Sequence, residues 1–190
     1  MSTSLDRICF DGFDKPIIKQ VKGYLKNLDG FLYIYGAVGT GKTQLIADMV
    51  RHFIENREPI LIKQQIGITD GKEKYDDKWS FKKCTFIKEA EFFNFLKTLW
   101  QHDSRVESDK IDILKKIDLF FIDDMGVKGE APWIYERYYQ IIDARYCNKL
   151  PTVITSNLSP ESLKEVEPRV ASRACSGDII ELQGEDRRTA

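Results

Sequence analysis

The stretch 36-GAVGTGKT-43 constrains this chain more than any other. From Gly36 through Thr43 it fits G-x-x-x-x-G-K-[ST], the pattern of a phosphate-cradling loop, provided that a strand precedes it and a helix follows. Both are legible. The run 31-FLYIY-35 is continuously apolar and rich in aromatics, as a strand covered on both faces must be. The segment 44-QLIADMVRHFI-54 carries Leu45, Ile46, Met49, Val50 and Phe53 at helical spacing. Between them the backbone of Gly36, Ala37, Val38, Gly39, Thr40 and Gly41 can turn its N–H groups inward around an anion, and the helix start adds its positive dipole end. Lys42 would then reach the β- and γ-phosphates, and Thr43 would place its hydroxyl on Mg²⁺. The expected ligands are ATP and Mg²⁺.

A metal-dependent phosphate site also needs an acid at the carboxyl end of a neighbouring strand, the edge at which parallel sheets bind ligands. In 119-LFFIDD-124, four apolar residues drive a strand into the core and Asp123 emerges at its end. Asp123 can hold the metal through water, and Asp124 can orient and polarise the attacking water. The strand 151-PTVITSN-157 ends in a hydroxyl pair and an amide. If it lies beside the first strand, Asn157 points at the γ-phosphate; the competing reading is a helix cap. Ser159, directly before 160-PE-161, suits the cap better.

The rest of the chain reads as alternating strands and helices, hence an α/β fold with a central, mainly parallel five-stranded sheet flanked by helices. Residues 1–30 form a short lead-in with a helix over 16-PIIKQVKGYLKNL-28, and 31–190 form the main domain. The run 60-ILIK-63 is a strand. The polar stretch 64–83 is an excursion in hairpin form, and 85-TFIK-88 resumes strand character. Helices are expected at 89–100 and 132–149, and a polar turn over 101–109 leads into a short helix. A short helix over 159–166 and a strand over 178–182 close the chain. His52 is expected on the surface of its helix.

Composition narrows the partners. Lys+Arg 29 against Asp+Glu 30 leaves a formal net charge of −1, so no global basic field advertises nucleic-acid binding. Cys9, Cys84, Cys147 and Cys175 are scattered without a C-x-x-C pair, as reduced thiols in a cytosolic protein would be. No apolar run approaches about 18 residues, and the N-terminus has no secretory pattern. A soluble, cytoplasmic protein is expected.

The order of GAVGTGKT, LFFIDDMG, PTVITSN and 168-PRVASRACSG-177 resembles the AAA+ ATPases of P-loop type, and within them the DnaC-type helicase loaders and IstB-type transposition helpers. The likeness spans roughly residues 30–188 and takes in 85-TFIKEAEFFNFL-96 and 184-GEDRR-188. It implies a Walker A loop at Gly36–Thr43, a Walker B strand ending in Asp123 and Asp124, and a sensor 1 at Asn157. It also implies an arginine-bearing box VII at Arg169 and Arg173, from which one subunit completes its neighbour's ATP site. The implied partners are a replicative helicase, single-stranded DNA and further copies of the chain. Three features depart from the family pattern. Asp124 stands where many members carry Glu, only a short lead-in precedes the sheet, and little chain remains for a lid with its sensor 2 arginine.

Alternatives stay open on the sequence. A transposition helper, a P-loop small-molecule kinase and a non-catalytic ATP-dependent adaptor all fit the loop. Arg169 and Arg173, four apart, share one face if helical and can instead pair with Glu165 or Glu167. In the excursion, Lys72, Lys74, Lys78, Lys82 and Lys83 alternate with Tyr75, Trp79 and Phe81, a pattern that can follow a phosphate backbone and stack on bases. Asp70, Glu73, Asp76 and Asp77 dilute that charge, and a solvated loop is the competing reading.

Overall fold

The computed structural model describes residues 10, 12–56, 59–69, 72–100, 104–126, 131–184 and 186–187, with backbone alone for 59–69, 72–79, 100 and 104–108. In chain order the elements are α1 (Lys15–Asn27), β1 (Phe31–Gly36), α2 (Lys42–Asn56), β2 (Pro59–Thr69), β3 (Lys72–Phe81), β4 (Cys84–Lys88) and α3 (Glu89–Trp100). They continue as α4 (Ser104–Lys116), β5 (Leu119–Met125), α5 (Pro132–Cys147), β6 (Thr152–Ser156), α6 (Pro160–Val166), α7 (Pro168–Ala174) and β7 (Asp178–Leu182).

Five strands form one sheet in the order β4-β5-β6-β1-β7, and every pairing in it is parallel. Because strand side chains alternate between faces, β1 feeds two cores. Phe31 and Tyr33 join Phe120, Ile122 and Ile154 on the face covered by α3, α4, α5, α6 and α7. Leu32 and Ile34 join Phe121, Val153 and Ile180 on the face covered by α1 and α2. Along β1 and β5 both faces are therefore covered, which is why these two strands read as unbroken apolar runs. The lead-in helix α1 buries Val21, Tyr24 and Leu25 in the second of these cores.

Two expectations need correction. The run 60-ILIK-63 does not end at Lys63: β2 continues to Thr69 and pairs with β3 antiparallel in a separate two-stranded sheet. The register shift between Gln65 and Gly67 leaves Ile66 without a partner as a bulge, and the excursion over 64–83 has the hairpin form expected of it. Residues 104–109 are helical rather than a turn. Polar as they are, they lead α4 into Ile111 and Leu114, whose spacing of three places both in the core.

One buried charge organises the far end of the sheet. Arg145 of α5 is fully buried, and its guanidinium donates to the carbonyls of Leu114 (2.9 Å), Ile117 (2.9 Å) and Pro151 (2.7 Å) and to Thr152 Oγ1 (2.9 Å). Desolvation pushes its pKa down to about 10, still protonated at neutral pH. Two of these carbonyls lie at the C-terminal end of α4, where a cation complements the helix dipole. Among the described residues no helix is long and apolar enough to cross a membrane.

Candidate functional site

β1 ends at Gly36, the loop 37–41 follows, and Lys42 opens α2. Gly36 has to be glycine: a β-carbon there would lie 2.2 Å from the Leu182 carbonyl oxygen of the neighbouring strand β7. Lys42 Nζ folds back across the loop and donates to the carbonyls of Gly36 (2.8 Å) and Ala37 (2.7 Å). Thr40 Oγ1 donates to Ala37 at 2.9 Å. The loop is thus pre-shaped by its own polar groups, and Val38 stands 60% exposed at its rim.

Asp123 lies behind the loop, only 1% exposed. It accepts from Thr43 Oγ1 at 3.1 and 3.3 Å through its two oxygens, and from Thr155 Oγ1 at 2.5 Å. One residue on, Asp124 adopts a left-handed backbone with φ 61°, and the pairing of β5 with β6 shifts register between Ile122 and Met125. A left-handed non-glycine residue is costly, and Asp tolerates it better than most. The bulge breaks the strict alternation of the strand, so Asp124 faces the same cavity as the loop. Its conformation is held on both sides: its N–H donates to Thr155 Oγ1 (3.0 Å), and its carboxylate accepts from Asn157 Nδ2 (3.0 Å). Behind it, Ser156 Oγ donates to the Met125 carbonyl (2.6 Å) and Gly126 N–H donates to the Glu89 carboxylate (2.8 Å).

These groups open onto a cavity of about 440 Å³ lined by Val38, Gly39, Gly41, Lys42, Thr43, Gln44, Asp124, Asn157 and Arg187. The structure therefore brings together the loop, Asp124 and Asn157, while Gly36, Ala37, Thr40 and Asp123 support them from behind. Asn157 is free of the capping role, because Ser159 Oγ caps α6 by accepting from Ser162 N–H at 3.2 Å.

Arg169 and Arg173 are elsewhere, on α7 against α5. Their partners are not Glu165 or Glu167. Arg169 meets Glu136 at 3.6 Å and sits 3.7 Å over the Tyr139 ring, and Arg173 Nε donates to Asp143 at 2.9 Å. The faces of α5 and α7 pack together, so cross-helix pairs replace the local ones. Lys82, Lys83 and Phe81 are exposed; the side chains of Lys72, Lys74, Tyr75, Lys78 and Trp79, and all of Asp70, lie outside the described residues. So does Cys9, whereas Cys84, Cys147 and Cys175 are not in disulfides.

Sequence reasoning missed three residues. Thr155 holds both acids, and its signal was a hydroxyl inside an apolar strand. Arg187 lines the cavity, and its signal was the tail 184-GEDRR-188. His52 is buried at 4% exposure rather than on the surface, since it falls seven residues after Leu45 on the apolar stripe of α2. Burial, followed by Lys22, holds its pKa below the ordinary value.

A phosphate loop, an acid pair at the end of the strand two places away, and a polar strand end between them give this sheet the fold of the AAA+ P-loop NTPases. No family model matches the chain. Within the class it is similar to DNA-replication proteins, in keeping with the resemblance to DnaC-type helicase loaders. It is 25% identical over 180 residues to the chromosomal replication initiator DnaA of Onion yellows phytoplasma (strain OY-M), covering 93% of this chain and 30% of that protein. It is 26% identical over 172 residues to the replicative helicase loader DnaI of Bacillus subtilis (strain 168), covering 83% of this chain and 47% of the loader. Thus the chain spans less than half the length of either relative.

Two solved structures share the fold. One is the replication initiator DnaA bound to AMPPCP and single-stranded DNA, with TM-score 0.70, 18% identity, and coverage of 95% of this chain and 50% of that one. The other is the DnaC helicase loader, with TM-score 0.64, 18% identity, and coverage of 94% and 96%.

Proposed function

We propose that the chain binds and hydrolyses Mg²⁺-ATP at this cavity, as an oligomer that delivers or remodels a replicative helicase on DNA. The observation that carries the reading is the convergence of Lys42, Thr43 and the Asp124–Asn157 pair on one cavity, with Asp123 bonded to Thr43 behind it. Lys42 is placed to exchange its two loop carbonyls for phosphate oxygens.

The donor set also fits Mg²⁺. Among the described residues no cluster of three or more His, Cys, Asp or Glu forms a metal site, and Mg²⁺ in phosphate sites needs only one or two protein oxygens beside the phosphates. Thr43 Oγ1 and the Asp123 carboxylate are such oxygens. The ion, when bound, neutralises charge on the phosphate oxygens. Asp124 accepts from the attacking water, and Asn157 fixes the carboxylate that does so.

Arg173, with Arg169 next, is assigned to the neighbouring subunit's site. Neither lines its own cavity, and a guanidinium can stabilise charge on a transferred phosphoryl group. Arg173 would leave Asp143 to do so. The helicase and single-stranded DNA are carried by the likeness to DnaI, DnaC and DNA-bound DnaA.

The test is ATP turnover measured at rising protein concentration, with and without single-stranded DNA. The reading expects turnover per subunit to climb with both. Turnover indifferent to DNA at every concentration would reject the DNA-linked role, and none at all would reject the ATPase.

A further inference from the structure

The tail after β7 returns to the phosphate loop, and it brings a cation. Arg187 N–H donates to the Gly39 carbonyl at 3.0 Å, and the Asp186 carboxylate occupies the space that a side chain at Gly39 would need. The Arg187 guanidinium lies 4.2 Å over the Phe13 ring and donates through Nη2 to the Gly12 carbonyl at 2.6 Å. A β-carbon on Gly41 would come within 3.2 Å of both Arg187 Nη1 and Phe13 Cζ. One guanidinium thus bridges the lead-in and the loop, and it lines the cavity.

Resting on the nucleotide reading above, we infer that Arg187 is a further phosphate-binding residue, supplied by the tail of the same subunit. Three points carry it. Its Nη1 sits beside Gly41, the residue directly before Lys42, which is the phosphate end of the cavity. A guanidinium has five N–H donors in a fixed fork, so it can keep its bond to Gly12 and still offer others to a phosphate oxygen. The stem is fixed by the backbone bond to Gly39 and by the Phe13 ring, so little side-chain freedom is left to lose on binding.

The test is displacement of a fluorescent ATP analogue by ATP, ADP and adenosine, from the wild-type protein and from Arg187→Ala, Arg187→Lys and Arg187→Gln. A charge-assisted contact predicts that Arg187→Ala weakens ATP and ADP by about tenfold or more and leaves adenosine unchanged. Lys should recover part of the loss and Gln, which keeps a donor for Gly12 without the charge, should not. Melting curves without nucleotide check that each variant folds. Wild type that binds ATP while Arg187→Ala binds it equally well would overturn this inference alone. Equal losses for adenosine, or rescue by Gln, would overturn the phosphate contact. Wild type that binds no ATP would overturn the nucleotide reading, and this inference with it.

Discussion

Thr155→Val is the most informative substitution at the acid pair. It keeps the shape of a fully buried side chain and removes one hydroxyl. That hydroxyl donates to the Asp123 carboxylate at 2.5 Å and accepts from the Asp124 N–H at 3.0 Å. A hydrogen bond to a charged group contributes about 1.5–3 kcal/mol and a neutral one about 0.5–1.5, so the substitution should cost about 2–4.5 kcal/mol. For a chain of this length each kcal/mol moves Tm by about 2–4 °C, giving a fall of roughly 4–18 °C. Turnover should drop too, by up to about a hundredfold, because the left-handed turn that aims Asp124 loses its anchor. Lys42 is untouched, so ATP affinity should change little. Melting followed by circular dichroism, phosphate release and a labelled-nucleotide titration measure the three. Thr155→Ser restores the hydroxyl and should recover most of both losses. If Thr155→Val melts within a degree of wild type and turns over normally, the hydroxyl does not hold the acid pair and this reasoning fails.

Other sites make separate demands. Arg145→Met leaves the carbonyls of Leu114, Ile117 and Pro151 buried without their donor, and urea unfolding should show a loss of about 3 kcal/mol or more. His52 has a folded pKa below its unfolded value near 6.5, so its contribution is full above that pH and is lost as pH falls through the window beneath it. Tm should therefore decline below about pH 6.5 more steeply in wild type than in His52→Gln, and parallel slopes would count against it. Arg173→Ala should bind ATP normally yet hydrolyse it about a thousandfold more slowly or worse. Mixed with Lys42→Ala, it should regain activity that grows with protein concentration, because a mixed interface pairs an intact loop with an intact arginine. No recovery in proven mixed assemblies would place Arg173 with Asp143 as a purely structural pair.

The parts of the fold legible in the sequence are those whose signal is local. β1 and β5 are buried on both faces and read as continuous apolar runs at 31–35 and 119–122, and β6 was readable from its β-branched run 152–155, whose buried hydroxyls find partners. The loop was readable because its spacing is set by phosphate geometry. What was illegible depends on contacts across the chain. Asp124 faces the cavity only because a bulge breaks the pleat, and no pattern announces a bulge there. Arg145 looks like any charge on an amphipathic helix until the end of α4 arrives to accept its hydrogen bonds. The partners of Arg169 and Arg173 come from α5 because α7 docks on it, whereas spacing alone offered Glu165 and Glu167. The hairpin form of 64–83 was legible, but the polar residues 64–69 hid that the strand beginning at Pro59 runs on to Thr69 by pairing with β3. His52 is different: its place on the stripe of Leu45 and Met49 was there to be read, and its polarity masked it.

The central claim is that the loop holds the triphosphate through Lys42, whose Nζ already lies 2.7–2.8 Å from two loop carbonyls at the cavity. The direct measurement is a titration of labelled Mg²⁺-ATP into wild type and Lys42→Ala, with circular dichroism to show that both are folded. The account predicts saturable binding by wild type and no measurable binding by the folded variant. Equal affinity in the two would contradict it.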